Sequence, residues 1–341
     1  MSTQATDTES ARDLALIGAG YWGKNLARNF LQLGALHTMC DNSPETLSSY
    51  GGEYADVRKT SDFAAVLADP AVRKVAIAAP AALHYSLARR ALEAGKDVYV
   101  EKPLCLKIED AEALVALAES SGRILMVGHL LQYHPCIEKL REMVSAGELG
   151  ELYQINSNRL NLGKFRMEEN VLWSFAPHDI SVILSLLPNS SITDLRCIGD
   201  HYISPNVADS TLTSIRFETG ARAQIHVSWL NPFKEQKLTV VGSKGMVVFD
   251  DTLPWAEKLR AYMHYLEVPE SDAPPTPKKS AGEPLAVKES EPLRCECRHF
   301  LDSCETRKTP RTDGREGLRV LKVLNGADKS LRNNGDVQTI S

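Results

Sequence analysis

The chain has 341 residues, of which 43% are hydrophobic and 24% are charged, and its formal net charge at pH 7 is −5. This composition is ordinary for a globular protein and excludes disordered and fibrous chains, and at roughly 150 residues per domain the length predicts about two domains. The acidic balance, with basic residues mixed along the chain, argues against binding to nucleic acid or to an anionic membrane surface.

Apolar runs and cysteines indicate the compartment. The most apolar run, Val75–Leu83, is well short of the ~18–20 residues that cross a bilayer. The polar, acidic N-terminus contains no apolar core of a signal peptide. The seven cysteines, an odd number scattered from Cys40 to Cys304, do not indicate a disulfide framework in a chain of this length. We therefore expect a soluble cytoplasmic protein that does not associate with membranes.

The first third of the chain alternates short apolar runs with helical patterns. The predicted strands are Leu14–Ile17, Leu36–Cys40, Val75–Ala78, Val98–Val100 and Ile124–Val127. The predicted helices are Trp22–Leu33, Leu83–Ala94 and Ile108–Glu119. Alternation of this kind predicts an α/β fold with a doubly wound parallel sheet and right-handed crossovers.

The pattern changes after about residue 150, where strands follow one another through short turns. The predicted strands are Glu151–Leu160, Ile192–Tyr202, Ser210–Glu218, Ala221–Leu230, Glu235–Val241 and Met246–Asp250. This succession favours a meandering, mostly antiparallel sheet. Apolar and polar residues alternate along Ala221–Leu230, so one face of the sheet is apolar, and a partner subunit could cover the polar face.

The last part of the chain contains a proline-rich segment and two helical patterns. Residues 269–284 carry five prolines between strand-like segments, which predicts a long surface loop. In the final helical pattern, Asp313 and Glu316 have the spacing of a capping box.

Residues Gly18–Gly23 form a Gly-x-Gly-x-x-Gly pattern between a predicted strand and a predicted helix. In such a loop the glycines allow a tight turn, close approach of a pyrophosphate and close helix–strand packing. Asp41 ends the next strand, where a carboxylate accepts both ribose hydroxyls of adenosine and repels a 2′-phosphate. This pattern predicts NAD binding, with NAD favoured over NADP. The alternative is a glycine turn with a capping aspartate.

A Glu-Lys-Pro motif, Glu101–Pro103, follows another predicted strand. It therefore lies at the carboxyl edge of the sheet, where doubly wound folds bind ligands. Lys102 could hydrogen-bond a substrate hydroxyl there and stabilise the oxygen as hydride leaves. A lone lysine after a strand is more often a solvated surface residue, and only the upstream glycine motif favours the catalytic interpretation.

A third segment, around Pro177 and His178, has the features of a helix start. The apolar face of the predicted helix consists of Ile180, Ile183, Leu184 and Leu187. Because proline suits the first turn, His178 would lie where the helix dipole disfavours the imidazolium and leaves a neutral ring able to accept a proton. The alternative is a capping or core histidine.

Ala79-Pro80 and His84 lie between the glycine motif and the Glu-Lys-Pro motif. Taken in this order, the motifs resemble the Gfo/Idh/MocA oxidoreductases over nearly the whole chain. This is the family of glucose–fructose oxidoreductase and inositol dehydrogenase. The resemblance implies an N-terminal Rossmann domain and a C-terminal α/β domain with a large open, mostly antiparallel sheet that often forms the oligomer interface. It places Lys102 and His178 on either side of the substrate carbon that faces the nicotinamide. Many members have an aspartate four residues before that histidine, where this chain has Ser174, so the proton acceptor is left open.

The resemblance also assigns binding residues. The predicted cofactor contacts are Gly18, Gly20, Tyr21, Trp22, Gly23, Asp41, Ala79, Pro80, His84 and Glu101. Three segments resemble the subgroup that oxidises C3 of UDP-N-acetylhexosamines, whose 3-keto product feeds an aminotransferase that forms a 3-amino sugar. These segments are Gly128–Pro135, Asn158–Gly163 and Trp173–Ile180.

The predicted substrate contacts lie between a strand and the His178 helix or near it. Arg159, Lys164 and Arg166 could bind a diphosphate, with three solvated loop charges as the alternative. Tyr133 or Trp173 could stack on a sugar or base, although a packed core position is the more frequent role of an aromatic residue.

The sequence therefore predicts an NAD-dependent dehydrogenase that acts on CH–OH groups, most specifically on C3 of UDP-N-acetylglucosamine or its uronic acid. We expect a dinucleotide-binding domain over residues 1–128 and a substrate-binding and oligomerisation domain over residues 129–341, with helix 314–332 packing back near the first domain. A homodimer or homotetramer is expected. The alternatives are a dehydrogenase of an unactivated sugar or inositol and, because of Ser174, a non-catalytic NAD-binding sensor.

No metal site is predicted. The group that invites one consists of Cys295, Cys297, His299 and Cys304. On a helix, Cys295 and Cys297 point to opposite sides, and no second cysteine pair follows at zinc-finger spacing.

Overall fold

A computed structural model describes residues 12–163, 165–167, 169–267, 269 and 273–340. The chain divides into two compact units. The first comprises the residues up to Gly128 together with Leu293–Leu318, and the second comprises His129–Pro292 and the residues from Arg319 on. In the described part of the chain, no helix is long and apolar enough to cross a membrane.

The first unit contains a six-stranded sheet in the order β3-β2-β1-β4-β5-β6, with every neighbouring pair parallel. Its strands are β1 (Leu14–Ile17), β2 (Leu36–Cys40), β3 (Arg58–Thr60), β4 (Lys74–Ile77), β5 (Asp97–Glu101) and β6 (Leu125–Gly128). The predicted doubly wound parallel sheet is thus confirmed. The sequence analysis missed β3, because its three residues are all polar and partly exposed and give no apolar run.

Helices connect the strands and continue to the end of the chain. The α-helices of the described residues are α1 (Gly23–Gln32), α2 (Pro44–Ser48), α3 (Phe63–Ala68), α4 (Ala81–Glu93), α5 (Ile108–Ser120), α6 (Pro135–Ser145), α7 (Val171–Leu186), α8 (Pro292–Thr306) and α9 (Gly314–Arg332). The predicted capping box of α9 is present, since Oδ1 of Asp313 accepts a hydrogen bond from the backbone N–H of Glu316 at 2.8 Å. The first turn of α9 belongs to the first unit and the remainder to the second.

The second unit contains an eight-stranded sheet in the order β16-β13-β12-β11-β7-β10-β9-β8. Its strands are β7 (Leu152–Leu160), β8 (Ile192–Asp200), β9 (Ser210–Phe217), β10 (Arg222–Ser228), β11 (Glu235–Gly242), β12 (Met246–Asp250), β13 (Leu259–Tyr262) and β16 (Glu283–Pro284), while β14 (Tyr265–Glu267) and β15 (Thr276–Lys278) form a separate pair. All six strands predicted here are confirmed. The sheet is mostly antiparallel, but it is no simple meander because β7 pairs with β10 in parallel.

Side chains alternate across this sheet as the sequence indicates. Along β10, Ala223, Ile225 and Val227 are buried in the core that α6 and α7 share, whereas Arg222 and Gln224 on the other face are exposed. The alternation follows from the two-residue period of a strand. That the polar face is covered by a partner subunit remains a prediction.

The proline-rich segment 269–284 is not one continuous loop. It contains β15 and β16, which are three and two residues long, and residues 270–272 lie outside the described part of the chain. Short strands that contain proline are typical of sheet edges, because proline lacks the N–H that a central strand must donate.

Candidate functional site

The glycine loop between β1 and α1 has three distinct steric environments. Gly18 has a φ of +89°, and a Cβ built there would lie 2.8 Å from the backbone of Ala78. A Cβ at Gly23 would lie 2.0 Å from the carbonyl oxygen of Gly18, whereas one at Gly20 would have nothing within 4 Å. The first and third positions therefore need glycine for the fold, and the second leaves open surface that a phosphate can approach.

A groove of about 680 Å³ opens beside this loop within the first unit. Its lining residues come from the loop, the start of α1 and the α2 region, and include Gly20, Tyr21, Lys24 and Tyr50. Trp22 precedes α1 and makes no side-chain capping hydrogen bond among the described residues, so it does not satisfy the first N–H groups at the positive end of the helix dipole. The loop and groove fit the phosphates and one nucleoside of a dinucleotide.

Asp41, at the end of β2, is tied to the glycine loop. Its Oδ2 accepts a hydrogen bond from the backbone N–H of Ala19 at 2.7 Å, and its Oδ1 accepts one from Ser43 at 2.9 Å. A carboxylate has about four acceptor positions, so two remain for other donors such as ribose hydroxyls. The structure thus holds this negative charge next to the predicted cofactor loop.

His84, on α4, is 1% exposed and joins two loops of the first unit. Its Nε2 lies 2.9 Å from the carbonyl oxygen of Ala79, which with Pro80 precedes α4, and its Nδ1 lies 2.7 Å from that of Pro103. Burial lowers the pKa of His84, against the opposing effect of the two carbonyl groups. The side chain therefore supports the predicted cofactor edge by holding the loops after β4 and β5 together.

Glu101 links the glycine loop to the predicted catalytic lysine. Its Oε1 accepts hydrogen bonds from the indole N–H of Trp22 at 2.5 Å and from the hydroxyl of Tyr99 at 3.0 Å. Its Oε2 accepts one from the backbone N–H of Lys102 at 3.3 Å. Burial raises the pKa of Glu101, while these donors and the Lys102 charge act in the opposite direction. Lys102 itself is partly exposed directly after β5, so the motif residues assemble at one edge of the sheet.

The structure corrects the predicted environment of His178. Helix α7 does not begin at Pro177 but at Val171, after Asn170, whose Oδ1 accepts a hydrogen bond from the backbone N–H of Trp173 at 3.2 Å. Pro177 lies inside the helix, and His178 is its eighth residue. Because the dipole effect falls off within the first turn, the helix-start argument made for this ring from the sequence does not apply.

Arg159 does not have the free guanidinium that was expected of a diphosphate contact. Its Nε and Nη2 donate to the two carboxylate oxygens of Asp179 at 2.8 and 3.0 Å, and Oδ1 of Asp179 also accepts from Ser157 at 2.8 Å. The Arg159 and Asp179 side chains are 11% and 5% exposed, and the cavity beside them holds only about 10 Å³. The guanidinium is therefore held in an internal ion pair that connects β7 to α7.

The pKa of Arg159 reflects this pairing. Burial alone lowers it, but the charge and hydrogen bonds of Asp179 raise it above the ordinary value of arginine. The carboxylate of Asp179 is directed to β7, where it accepts hydrogen bonds from Ser157 and Arg159. Ser174 is 5% exposed.

The other predicted substrate residues lie in different surroundings. Tyr133 is 2% exposed, so almost none of its ring surface is left for stacking on a ligand. Trp173 is half-buried and packs against the core of the second unit. Arg166 is exposed and forms an ion pair with Glu169 at 2.7 Å. Lys164 lies outside the described residues.

Comparison with known proteins agrees with this architecture. Residues 12–129 match the oxidoreductase family with an NAD-binding Rossmann fold, and residues 137–248 match the Gfo/Idh/MocA C-terminal domain. The chain belongs to the Gfo/Idh/MocA family. It is an oxidoreductase with an NAD-binding Rossmann domain, which removes the non-catalytic sensor as an alternative.

Two curated members and one solved structure show the breadth of this similarity. The chain is 25% identical to a UDP-N-acetylglucosamine 3-dehydrogenase of Acidithiobacillus ferrooxidans over 90% of this chain and 93% of that protein. It is also 25% identical to the NAD⁺-dependent scyllo-inositol 2-dehydrogenase of Bacillus subtilis, over 80% and 79% of the two chains. The crystal structure of the Acidithiobacillus enzyme, GnnA, superposes with a TM-score of 0.82 at 22% identity, covering 94% of this chain and 98% of that one, and shows the shared fold.

Sequence reasoning missed two polar residues behind the Glu101–Pro103 motif of this family member. Tyr99 is fully buried in β5, and Glu296 is fully buried on α8. Their contact spans 197 positions of sequence, so no local spacing could reveal it. The available signal was that Glu296 shares an apolar helical stripe with Leu293, Cys297 and Phe300, where an unpaired charge would be costly.

The cysteines of this family member are all free. Cys297 and Cys304 are buried on α8, and Nε2 of His299 accepts a hydrogen bond from the backbone N–H of Arg311 at 3.0 Å. In the described part of the chain, no three His, Cys, Asp or Glu side chains lie close enough together to hold a metal ion.

Proposed function

We propose that this oxidoreductase transfers hydride from a hydroxyl-bearing carbon of a sugar nucleotide to NAD, and that the substrate is UDP-N-acetylglucosamine or its uronic acid, oxidised at C3. The observation that carries the proposal is the hydrogen bond between Trp22 and Glu101, which joins the dinucleotide loop to the motif that holds Lys102. A 3-keto sugar of this kind is a suitable substrate for an aminotransferase that forms a 3-amino sugar.

The residues of the chain supply binding and proton handling. Lys102 hydrogen-bonds the reacting hydroxyl and stabilises the negative charge that develops on its oxygen. His178 accepts or relays the proton, and its helix is held in place by the ion pair of Arg159 and Asp179. When bound, the nicotinamide supplies the hydride acceptor, so the protein has to fix distance and electrostatics.

We assign NAD rather than NADP as the cofactor. The Asp41 carboxylate is fixed beside the glycine loop by Ala19 and Ser43, and its charge disfavours a 2′-phosphate. The steric environments of Gly18, Gly20 and Gly23 support pyrophosphate binding at the same loop.

The nucleotide part of the substrate is proposed from the Acidithiobacillus relative and from the segments that include His129 and Trp173. Because Arg159 is committed to Asp179, the diphosphate contacts in this proposal fall to Arg166 and Lys164. Arg166 is 45% exposed in its side chain, and its ion pair with Glu169 can be exchanged for another partner at small cost.

A dehydrogenase of an unactivated sugar or inositol is the second candidate. The internal pairing of Arg159 favours it, since one of the three expected diphosphate contacts is removed. The similarity to scyllo-inositol 2-dehydrogenase supports the same candidate.

We further propose that the chain acts as a homodimer or homotetramer. The exposed polar face of the large sheet, which carries Arg222 and Gln224 on β10, is the surface available for pairing. The aminotransferase would receive the product in a later step and need not bind the dehydrogenase.

A substrate panel tests the proposal. Purified enzyme is screened by thermal shift with NAD and UDP-sugars, free sugars or inositols, and NADH absorbance is then followed for each ligand that stabilises it. We expect turnover of UDP-N-acetylglucosamine or its uronic acid, and we expect Arg166→Ala to raise KM for the nucleotide substrate. Turnover of free sugars or inositols alone, unaffected by Arg166→Ala, would establish the second candidate instead.

A further inference from the structure

Two buried carboxyl groups of the first unit share one hydroxyl. The oxygen of the Tyr99 hydroxyl lies 3.0 Å from Oε1 of Glu101 and 3.1 Å from Oε2 of Glu296. Tyr99 and Glu296 are both 0% exposed, and Glu101 is 8% exposed. A phenol has one proton, so it can donate to only one of these carboxyl groups at a time.

The two carboxyl groups differ in the other donors that they receive. Glu101 also accepts hydrogen bonds from the indole of Trp22 and the backbone N–H of Lys102. Within the described residues, Oε1 of Glu296 accepts none. A buried charge is tolerated only where hydrogen bonds or an opposite charge compensate it, so the negative charge belongs on Glu101 and a proton on Glu296.

We propose that Glu296 is a neutral carboxylic acid that acts as a positioning residue for Glu101 and, through Glu101, for Lys102 at the carboxyl edge of the parallel sheet. It donates its proton to the phenol oxygen of Tyr99, and the phenol donates to Glu101. The Glu101 carboxylate is thereby oriented toward Trp22 of the glycine loop and the backbone of Lys102. The positioning role rests on the proposed function of Lys102, whereas the protonation of Glu296 does not.

Close packing around the phenol holds this arrangement. The rings of Phe300 and Phe30 lie edge-on to Tyr99, with centroid distances of 5.8 and 6.4 Å. A Cβ at Gly128 would lie 2.5 Å from the Tyr99 hydroxyl and 3.0 Å from Oε2 of Glu101, so only glycine leaves room for both groups. In such apolar surroundings a second negative charge beside Glu101 would be costly.

Burial raises the pKa of both carboxyl groups, and the charges and donors around them decide which one keeps its proton. Burial, the charge of Glu101 and, from α9, Glu316 raise the pKa of Glu296. Burial raises the pKa of Glu101, but Trp22, the charge of Lys102 and Tyr99 oppose it, whereas at Glu296, within the described residues, only the Tyr99 hydrogen bond opposes burial. Tyr99 stays protonated, because burial and, after it, the charge of Glu101 raise its pKa.

The protonation of Glu296 can be tested through stability. In Glu296→Gln the amide can donate to the phenol oxygen as the acid does, but it does not titrate. The acid binds its proton in the folded chain and loses it on unfolding above about pH 4.3, so the contribution of Glu296 to the free energy of unfolding falls with rising pH. The ratio of the variant's folding equilibrium constant to that of the wild type, from urea unfolding of the full chain, should rise about tenfold per pH unit from roughly pH 5.5 to 7.5. A ratio independent of pH would overturn the neutral acid.

The positioning role needs a readout that a purely structural role would not change. In Tyr99→Phe and Glu296→Leu, Glu101 loses the hydrogen bond or its orientation, so its pKa rises, and the acid limb of the kcat profile should move up by about one pH unit. Glu296→Gln should restore the wild-type limb. Equal shifts in Gln and Leu variants, or an unshifted limb in Tyr99→Phe, would overturn the positioning role. If the chain turned over no sugar substrate, the proposed function would fail, and the stability ratio would still decide the protonation state.

Discussion

The edge of the parallel sheet in the first unit and helix α7 in the second unit show opposite outcomes for residues that the sequence singles out. At the sheet edge, Trp22, Glu101 and Lys102 are connected by hydrogen bonds. On α7, the expected helix start is two turns away, and the nearby Arg159 is bound to Asp179. The position of a motif that depends on backbone shape or on a strand end can be predicted from sequence. The ion-pair partner of a single charged side chain cannot.

The largest expected effect at the sheet edge of the first unit comes from Lys102. Lys102→Ala should lower kcat by about 10²–10⁴-fold, because a group that hydrogen-bonds the reacting hydroxyl contributes in that range, and NAD affinity should be retained. Steady-state kinetics and NAD titration measure both quantities. Lys107→Ala is the matched control, since Lys107 is exposed just before α5 in the same connection. Retained turnover in Lys102→Ala would remove this lysine from the mechanism.

The two arginines of the second unit give the next largest effect. Arg159→Ala should lower the free energy of unfolding by about 3–5 kcal/mol, because it leaves the buried Asp179 charge without its partner. Arg166→Ala breaks an exposed pair with Glu169 and should change it by less than about 1 kcal/mol. Urea unfolding of the two variants distinguishes these roles. Equal losses of unfolding free energy in the two variants would show that the Arg159–Asp179 ion pair stabilises the fold no more than the exposed pair of Arg166 with Glu169.

The smallest predicted effect concerns the cofactor. Asp41→Asn removes the negative charge beside the glycine loop, so the ratio of kcat/KM for NADP to that for NAD should rise by about tenfold, as expected for one unit charge near a phosphate. Glu93→Gln, an exposed change on α4, serves as the control for net charge. An unchanged ratio in Asp41→Asn would separate Asp41 from the choice of cofactor.

Much of the fold follows from periodicity. The alternation along β10 predicted a buried face, and the structure buries Ala223, Ile225 and Val227. Periodicity does not contain pairing information, which is why the parallel contact of β7 with β10 was not expected. Strand β3 was missed because three polar residues are placed by their neighbour β2 and not by an apolar pattern.

Less of the site could be predicted than of the fold. The glycine pattern anticipated the steric needs at Gly18 and Gly23, because those needs are local. Asn170 begins α7 earlier than Pro177 suggests, and proline was taken as a first-turn signal although it lies inside the helix. The contact of Glu296 with Tyr99 joins α8 to β5, and only the folded chain brings these residues together.

Isotope transfer tests directly whether hydride leaves C3 of a UDP-N-acetylhexosamine, as proposed. The enzyme is incubated with NAD and UDP-N-acetylglucosamine, or its uronic acid, deuterated only at C3, and the reduced cofactor is analysed by mass spectrometry. We expect the NADH that is formed to carry the deuterium. Unlabelled NADH from the C3-deuterated substrate would place the oxidation at another carbon and contradict the claim.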